Sequence, residues 1–181
     1  MLKKFLIVIG AGLAFFLAYV GTLPGSYSVS RTATIAAPPD AVFSHVNDLH
    51  KWDDWSPWAK RDPNAKVAFE GPEQGKGARF KWDGNAEVGT GQMTIEKSEP
   101  PDLIEIRLDF VEPFAGTSYA SFLFEPKGTD ATEVTWTLSG NQDYFERVIC
   151  TVLGLNMDEM IGSDYEQGLS NLKRVVEAKP S

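Results

Sequence analysis

The sequence predicts an α+β fold, in which a curved antiparallel sheet of about seven strands wraps around one long C-terminal helix. Three observations support this prediction. Segments of alternating apolar and polar residues recur between residues 27 and 138, short turns join most of them, and an amphipathic stretch of helical period closes the chain. Consecutive strands joined by short turns form an antiparallel meander. Because these strands have one apolar face, that face needs a cover, and the C-terminal helix is long enough to provide it.

The C-terminal helix is predicted from about residue 156 to residue 178, and Pro180 prevents it from continuing. Its apolar residues recur at steps of three and four and form one stripe, made of Met157, Met160, Ile161, Tyr165, Leu169, Leu172, Val175 and Val176. Gly162, Asp164 and Gly168 interrupt the stripe. The two glycines either allow close backbone packing on a sheet or leave room for a cavity beside the helix.

The folded region begins with a predicted strand and two short helices. Residues 27–35 alternate and form the strand. Pro39 is suited to start the first helix, and a second helix ends before Pro57. Trp52 and Trp55 have helical spacing in that second helix. They are interpreted as core residues, with a cavity lip or a membrane-facing patch as the alternatives.

From residue 66 onward, the pattern is that of strands separated by turns that contain glycine or proline. The predicted strands lie at residues 67–69, 78–82, 86–98, 104–110, 119–125 and 134–138. Gly89 and Gly91 fall inside the longest of them, where they indicate a bulge or a sharp bend. A less regular helical stretch from Tyr144 to Leu153 leads into the final helix.

Residues 1–25 are predicted to form a membrane anchor and hinge, separate from a domain of residues 26–178 and a tail of residues 179–181. Lys3 and Lys4 precede an uncharged run of about 19 residues. As a helix, this run spans ~28 Å against a hydrocarbon core of ~30 Å. The two lysines place the N-terminus in the cytoplasm, so that the anchor crosses the cytoplasmic (inner) membrane once and the domain lies on the outer, periplasmic side. A cleaved signal peptide is the alternative, but its cleavage pattern of small residues is poorly matched here.

Charge and cysteine content exclude several classes of function. The net charge is −8, which argues against nucleic acid and against anionic membrane surfaces as partners. Cys150 is the only cysteine, so the chain cannot form an internal disulfide. Because Cys150 lies in an apolar run, the sequence predicts a buried structural thiol rather than a nucleophile.

Five segments carry a resemblance to a known family: residues 31–43 (RTATIAAPPDAVF), 52–58 (WDDWSPW), 89–95 (GTGQMTI), 134–138 (VTWTL) and 168–173 (GLSNLK). With this order of elements, the chain resembles the START-like superfamily, which has the helix-grip or Bet v 1-like fold. Within it, the chain is most similar to the bacterial polyketide cyclase/dehydrase and lipid-transport family. The resemblance spans residues 27–177. It implies an apolar ligand between the sheet and the long helix, and it implies no shared catalytic set.

We predict a membrane-anchored binding module that holds a hydrophobic small molecule or lipid between the sheet and the C-terminal helix. By strand and helix parity, the walls of this cavity are Phe80, Trp82, Met93, Phe110, Trp136, Met157, Ile161 and Tyr165. No cofactor and no metal are expected, because His45 and His50 are the only histidines and lack the spacing and the cysteine partner of a zinc site.

An enzyme of the cyclase or dehydrase type is the first alternative, and it requires an ionisable group inside the cavity. Asp164 is the candidate, with Tyr119 and Tyr165 as further ones. A carboxylic acid in an apolar pocket has a raised pKa and can act as an acid. Asp164 could instead pair with an arginine such as Arg79 or Arg107.

A protein-partner-binding domain, similar to the co-chaperone branch of the superfamily, is the second alternative. It requires a filled cavity and an exposed apolar patch, for which residues 52–58 are the candidate segment.

Overall fold

The computed structural model describes residues 1–113 and 115–178. The helices are α1 (Leu2–Thr22), α2 (Pro39–Asn47), α3 (Trp52–Trp55), α4 (Tyr144–Leu153) and α5 (Met157–Glu177). The strands are β1 (Ser26–Ile35), β2 (Lys66–Glu70), β3 (Arg79–Asp83), β4 (Thr90–Glu99), β5 (Leu103–Glu112), β6 (Gly116–Pro126) and β7 (Thr132–Asn141). The second short helix predicted from the sequence is a 3-10 turn at Leu49–Lys51 followed by the single turn of α3.

The seven strands form one antiparallel sheet in the order β1–β7–β6–β5–β4–β3–β2. Strands β2 to β7 follow one another as a meander, and β1 pairs with β7. The long helix α5 packs along β1, and α2 and α3 pack against α5. The predicted α+β fold, a curved antiparallel sheet around a long C-terminal helix in the helix-grip arrangement, is confirmed.

The two ends of the sheet differ in the helices and turns that are attached to them. The near end is defined by the strand termini Ser26, Asn141, Gly116, Glu112, Thr90, Asp83 and Lys66, which the antiparallel register places together. Helix α1 enters β1 at this end, and β7 leaves it for α4. The far end carries the β2–β3, β4–β5 and β6–β7 turns. The N-terminal helix and the β3–β4 turn therefore lie at the same end of the domain.

An aromatic cluster fills the interior beneath α5 and α3. Trp55 and Phe122 are fully buried, and Trp136 is 2% exposed. The ring of Trp136 lies between Tyr165, at a centroid distance of 3.8 Å, and Phe122, at 4.8 Å. Trp52 is also buried, and it contacts the rings of Trp136 and Phe122. Trp52 and Trp55 are thus core residues and do not form a membrane-facing patch. Trp52 also borders the cavity beside α5, as the cavity alternative expected.

Arg31 of the edge strand β1 forms ion pairs with two residues of α5. Its guanidinium donates to both carboxylate oxygens of Asp158, at 2.8 and 3.0 Å, and to Glu166 at 2.7 Å. The hydrogen bonds from Arg31 lower the pKa of Asp158 below its ordinary value, more than partial burial raises it.

We expect the Arg31→Met variant to be less stable than the parent chain at neutral pH and to lose less stability on acidification. A carboxyl with a lowered folded-state pKa contributes stability above its unfolded-state pKa of about 3.9, and that contribution disappears as the pH falls through the folded-state value. Urea unfolding of both proteins between neutral pH and pH ~3 checks this. Parallel curves across that range would show that the ion pair contributes nothing, which is the usual outcome for fully solvated pairs.

The two glycines of α5 mark close packing. A Cβ atom on Gly168 would lie 2.7 Å from Cζ3 of Trp136 and 3.2 Å from Cδ of Pro57. A Cβ atom on Gly162 would overlap the guanidinium of Arg31. Of the two interpretations of these glycines, close packing explains both positions.

Several predicted boundaries differ from the structure. Strand β4 begins at Thr90 instead of residue 86, because Gly89 has a φ of +66° and ends the preceding turn. The predicted irregularity is present as a register shift between Thr90 and Gly91. Met160 of the predicted apolar stripe is half-exposed. Pro180 and the tail of residues 179–181 lie outside the described residues.

Helix α1 is long and apolar enough to cross a membrane, and a signal sequence near an N-terminus has the same properties. Its C-terminal end is fixed to α4. The hydroxyl of Tyr144 donates to the carbonyl oxygen of Leu17 at 2.8 Å, and Nη1 of Arg147 donates to that of Leu23 at 2.5 Å. Val20 is fully buried. The end of α1 is therefore part of the packed structure.

Candidate functional site

A cavity of about 590 Å³ lies between α5 and the half of the sheet formed by β2 to β5. It exists because α5 packs along β1 and leaves the opposite half of the sheet uncovered. Its deep part is walled by the buried side chains of Met93 and Tyr165. Its open part is walled by Pro63, Val67 and Phe110, which are exposed. The volume is typical of sites for small organic molecules.

Six of the eight side chains predicted as cavity walls line this space: Phe80, Trp82, Met93, Phe110, Ile161 and Tyr165. Trp136 and Met157 do not. Trp136 faces inward as predicted, but the ring of Tyr165 covers it and places it in the core. Met157 is the first residue of α5, one turn before Ile161, and is only half-buried there.

Trp82 is the largest side chain on the sheet wall, and Gly91 makes its position possible. A Cβ atom on Gly91 would lie 2.5 Å from Cζ2 of Trp82, so the indole occupies the space that a side chain would fill. The indole nitrogen donates to the carbonyl oxygen of Val88 at 3.1 Å. The ring contacts Phe80 and Phe110, at centroid distances of 6.1 and 6.0 Å. A continuous aromatic wall results.

The loop between α3 and β2 forms a wall that sequence reasoning missed. Its residues Trp58, Ala59, Asp62, Pro63 and Ala65 line the cavity. The carboxylate of Asp62 accepts from the backbone N–H of Asn64 at 3.0 Å and from that of Asn85 at 2.7 Å, which ties the loop to the β3–β4 turn. The loop has no periodicity that could have indicated its role. Leu108 and Leu138, also missed, follow strand parity and could have been found by it.

Asp164 lines the cavity, as the enzyme hypothesis requires, and is paired with Arg61. Only 18% of the Asp164 side chain is exposed, and the guanidinium of Arg61 also lies 3.8 Å from Glu87. The partners suggested from the sequence are wrong, because Arg79 pairs with Glu70 and Arg107 with Asp109, both away from the cavity. The guanidinium therefore offsets the charge of Asp164, while the carboxylates of Asp53 and Asp62 also line the cavity.

Tyr165 is the second candidate of the enzyme hypothesis that lines the cavity. Burial raises its pKa well above the ordinary value, and the neighbouring Tyr27 adds to the shift. Tyr165 therefore stays protonated at neutral pH and can donate a hydrogen bond, but it cannot act there as a base. Tyr119 is 49% exposed and does not line the cavity.

Asp109 and Cys150 do not line this cavity. Burial alone would raise the pKa of Asp109, but hydrogen bonds from Thr117, Gln92 and Arg107 lower it below its ordinary value. Cys150 is half-buried rather than buried and accepts a hydrogen bond from Gln142. Among residues 1–113 and 115–178, no three His, Cys, Asp or Glu side chains are grouped as metal ligands.

The exposed patch that the partner-binding hypothesis requires at residues 52–58 is not present. Trp52 and Trp55 are buried and Trp58 is half-buried. Trp58 packs edge-on against Trp136 and Tyr165, at centroid distances of 5.9 and 6.1 Å. The cavity is also hollow in this structure, whereas that hypothesis requires it to be filled.

Solved structures with this fold support the assignment of the architecture. The aromatase/cyclase ZhuI from Streptomyces sp. R1128 is 15% identical, with a TM-score of 0.61 over 84% of this chain and 94% of that protein. Protein CV1439 from Chromobacterium violaceum is 15% identical, with a TM-score of 0.59 over 87% and 100% of the two chains. The di-domain aromatase/cyclase BexL of the BE-7585A biosynthetic pathway is 20% identical, with a TM-score of 0.57 over 89% of this chain and 53% of that protein. At these identities, the similarity establishes the fold alone.

Comparison with curated proteins finds no match. A family model, in contrast, assigns the chain to a family and not only to a fold. The model described as polyketide cyclase/dehydrase and lipid transport matches residues 26–177, which include every strand and all helices except α1. The chain therefore belongs to the polyketide cyclase/dehydrase and lipid transport family.

Proposed function

We propose that this protein is a membrane-anchored binding module that holds a hydrophobic small molecule or lipid in the cavity between α5 and strands β2–β5. The observation that carries the proposal is the cavity itself, about 590 Å³ with a wall of aromatic and aliphatic side chains. A pocket of this kind, with few polar groups, is the usual form of a small-molecule site. The family, whose description includes lipid transport, supports the same class of ligand.

The polar groups of the cavity narrow the chemistry of the ligand. Tyr165 walls the deep part and stays protonated. The described lining contains three carboxylates, Asp53, Asp62 and Asp164, and no lysine or arginine, and Arg61 pairs with Asp164 from outside that lining. An anionic headgroup would find no cation in this lining, and burying it unpaired would be costly. We therefore expect an apolar molecule that carries no negative charge and whose polar group is a hydrogen-bonding one, such as a hydroxyl or carbonyl.

The anchor is part of the proposal. Residues 1–25 would form the membrane segment and hinge, and residues 26–178 the binding domain. The uncharged run after Lys3 and Lys4 supports a single span of the cytoplasmic membrane with the N-terminus inside. The domain would then lie on the outer side.

Native mass spectrometry of the full-length chain, purified from cells in a mild detergent, tests the binding function. We expect a co-purified apolar mass that organic extraction removes. A bare protein mass, together with no uptake from a mixed lipid extract, would contradict the proposal.

A second candidate function is a cyclase or dehydrase reaction in the same cavity, and the position of Asp164 favours it. A phenol that donates to a bound carbonyl oxygen would polarise the carbonyl, and a carboxylate beside it could accept a proton from the adjacent carbon and return it to the oxygen that leaves as water. Asp164→Asn should then stop conversion of a polyketide-type thioester while its binding persists. Asp53→Asn is the matched control, because Asp53 is an exposed carboxylate that also lines the cavity. Equal effects of the two variants would exclude a chemical role for Asp164.

A further inference from the structure

Helix α4 exposes apolar side chains that the binding function does not use. Phe145, Val152 and Leu153 are 69%, 65% and 64% exposed, and we call these three residues the α4 face. Phe145 and Val152 are seven residues apart and lie on one side of the helix. Leu155 and Met160, which follow α4, are also exposed. Residues 148–157 contain no charged side chain. Exposed apolar sets of this kind mark contact surfaces.

The contact with α1 fixes where this face lies. The Tyr144 hydroxyl bonds to the carbonyl of Leu17, which is six residues before Leu23 at the end of the uncharged run. Six residues of helix correspond to about 9 Å along the axis. The tip of the Tyr144 side chain therefore lies about 9 Å below the end of the predicted span. Arg147 of the same helix bonds to Leu23 at that end, so α4 lies at the level of the last turns of α1.

We propose that α4 is an interfacial helix whose face of Phe145, Val152 and Leu153 inserts into the bilayer surface beside α1. This inference rests on the proposed membrane anchor. Once α1 spans the bilayer, the Tyr144–Leu17 bond holds α4 at the depth where headgroups meet acyl chains, and its exposed apolar side chains contact lipid there. Amphipathic helices bury their apolar face to a depth of about 5–10 Å in that zone, which agrees with the position of Tyr144.

The same arrangement turns the open part of the cavity toward the membrane. Phe110 and Val67, which wall the open part, lie near the ends of β5 and β2 at the near end of the sheet. Helix α4 leaves β7 at that end. The ligand class that follows is a bilayer amphiphile, which enters the cavity from the leaflet next to α4.

The charge of the α4 face predicts which lipids allow it to insert. The α4 face is uncharged, and the whole chain carries a net charge of −8. Insertion would therefore depend on apolar burial and would not need anionic headgroups, so it should be insensitive to salt.

Site-specific fluorescence of the full-length chain in phosphatidylcholine vesicles tests the proposal. In a Cys150→Ser background, Phe145→Cys and Val152→Cys each carry an NBD probe, and Thr129→Cys, in the β6–β7 turn at the far end, is the matched control. Nitroxide-labelled phosphatidylcholine should quench most of the emission at positions 145 and 152 and none at position 129, at low and high salt alike. All three positions are exposed, so the substitutions should not disturb folding.

Vesicle flotation of the same samples distinguishes a failure of α4 to insert from a failure of α1 to anchor the protein. Probes at 145 and 152 that remain unquenched on protein that floats would overturn the interfacial role of α4 and leave the anchor intact. Protein that does not float would overturn the anchor and, with it, this inference. Neither result depends on whether the cavity is occupied, which mass spectrometry reports separately.

Discussion

The double variant Leu108→Trp/Ile161→Trp is expected to lose affinity for an apolar probe by about tenfold or more, which corresponds to about 1.4 kcal/mol. Leu108 of β5 and Ile161 of α5 both line the cavity, one on the sheet wall and one on the helix wall. Two indole rings added to these walls would occupy space that the probe needs. Neither side chain is fully buried, so the rings have room to enter the cavity without straining the core.

The measurement is saturable energy transfer from the cavity tryptophans to 1-aminoanthracene, an uncharged aromatic amine, with the full-length chain held in amphipol. Leu123→Trp is the matched control, because Leu123 lies on β6 and is 41% exposed. It adds an indole without touching the cavity, and its affinity should equal that of the parent. If the double variant keeps its melting temperature and still binds the probe with parental affinity, the cavity is not the binding site.

Strand parity predicts which side chains face the interior, but it does not predict whether they line a cavity or pack in the core. Phe80 and Trp136 are both inward-facing aromatics, yet one lines the cavity and the other is buried in the core. The difference arises because α5 lies along β1, which pairs with β7, and not over β3. The position of a helix across a sheet depends on contacts between distant segments, and the sequence gives no local signal for it.

The contacts that set this position join distant parts of the chain. Arg31 reaches Asp158 and Glu166, more than 100 residues away in the chain, and Asp164 finds Arg61 rather than the strand arginines. Charged residues of this kind are indistinguishable in the sequence from solvated ones. The alternation of the strands and the stripe of α5 were predictable because each is repeated over many residues. The loop of residues 58–65 has no such repetition, so its contribution to the cavity required the structure.

The variant Gly168→Val is expected to destabilise the fold by about 3 kcal/mol, which corresponds to a fall in melting temperature of about 6–12 °C. Its Cβ atom alone would lie 2.7 Å from Cζ3 of Trp136 and 3.2 Å from Cδ of Pro57. The indole cannot yield, because its two faces are packed against Tyr165 and Phe122. The strain must therefore move α5 away from the core. Thermal unfolding followed by circular dichroism measures the effect.

Helix propensity cannot explain such a loss, because valine is a better helix former than glycine. Two further variants show that the loss depends on the contact with Trp136. Ser170→Val places the same residue at an exposed position of α5, where it meets no core side chain and where serine and valine have similar helix propensities. It should lower the melting temperature only slightly. In Gly168→Val/Trp136→Phe, the smaller ring lacks the atom that valine would strike, and the double variant should lose less stability than the two single variants added together. Additive losses would show that Gly168 is not needed for the approach of α5 to Trp136.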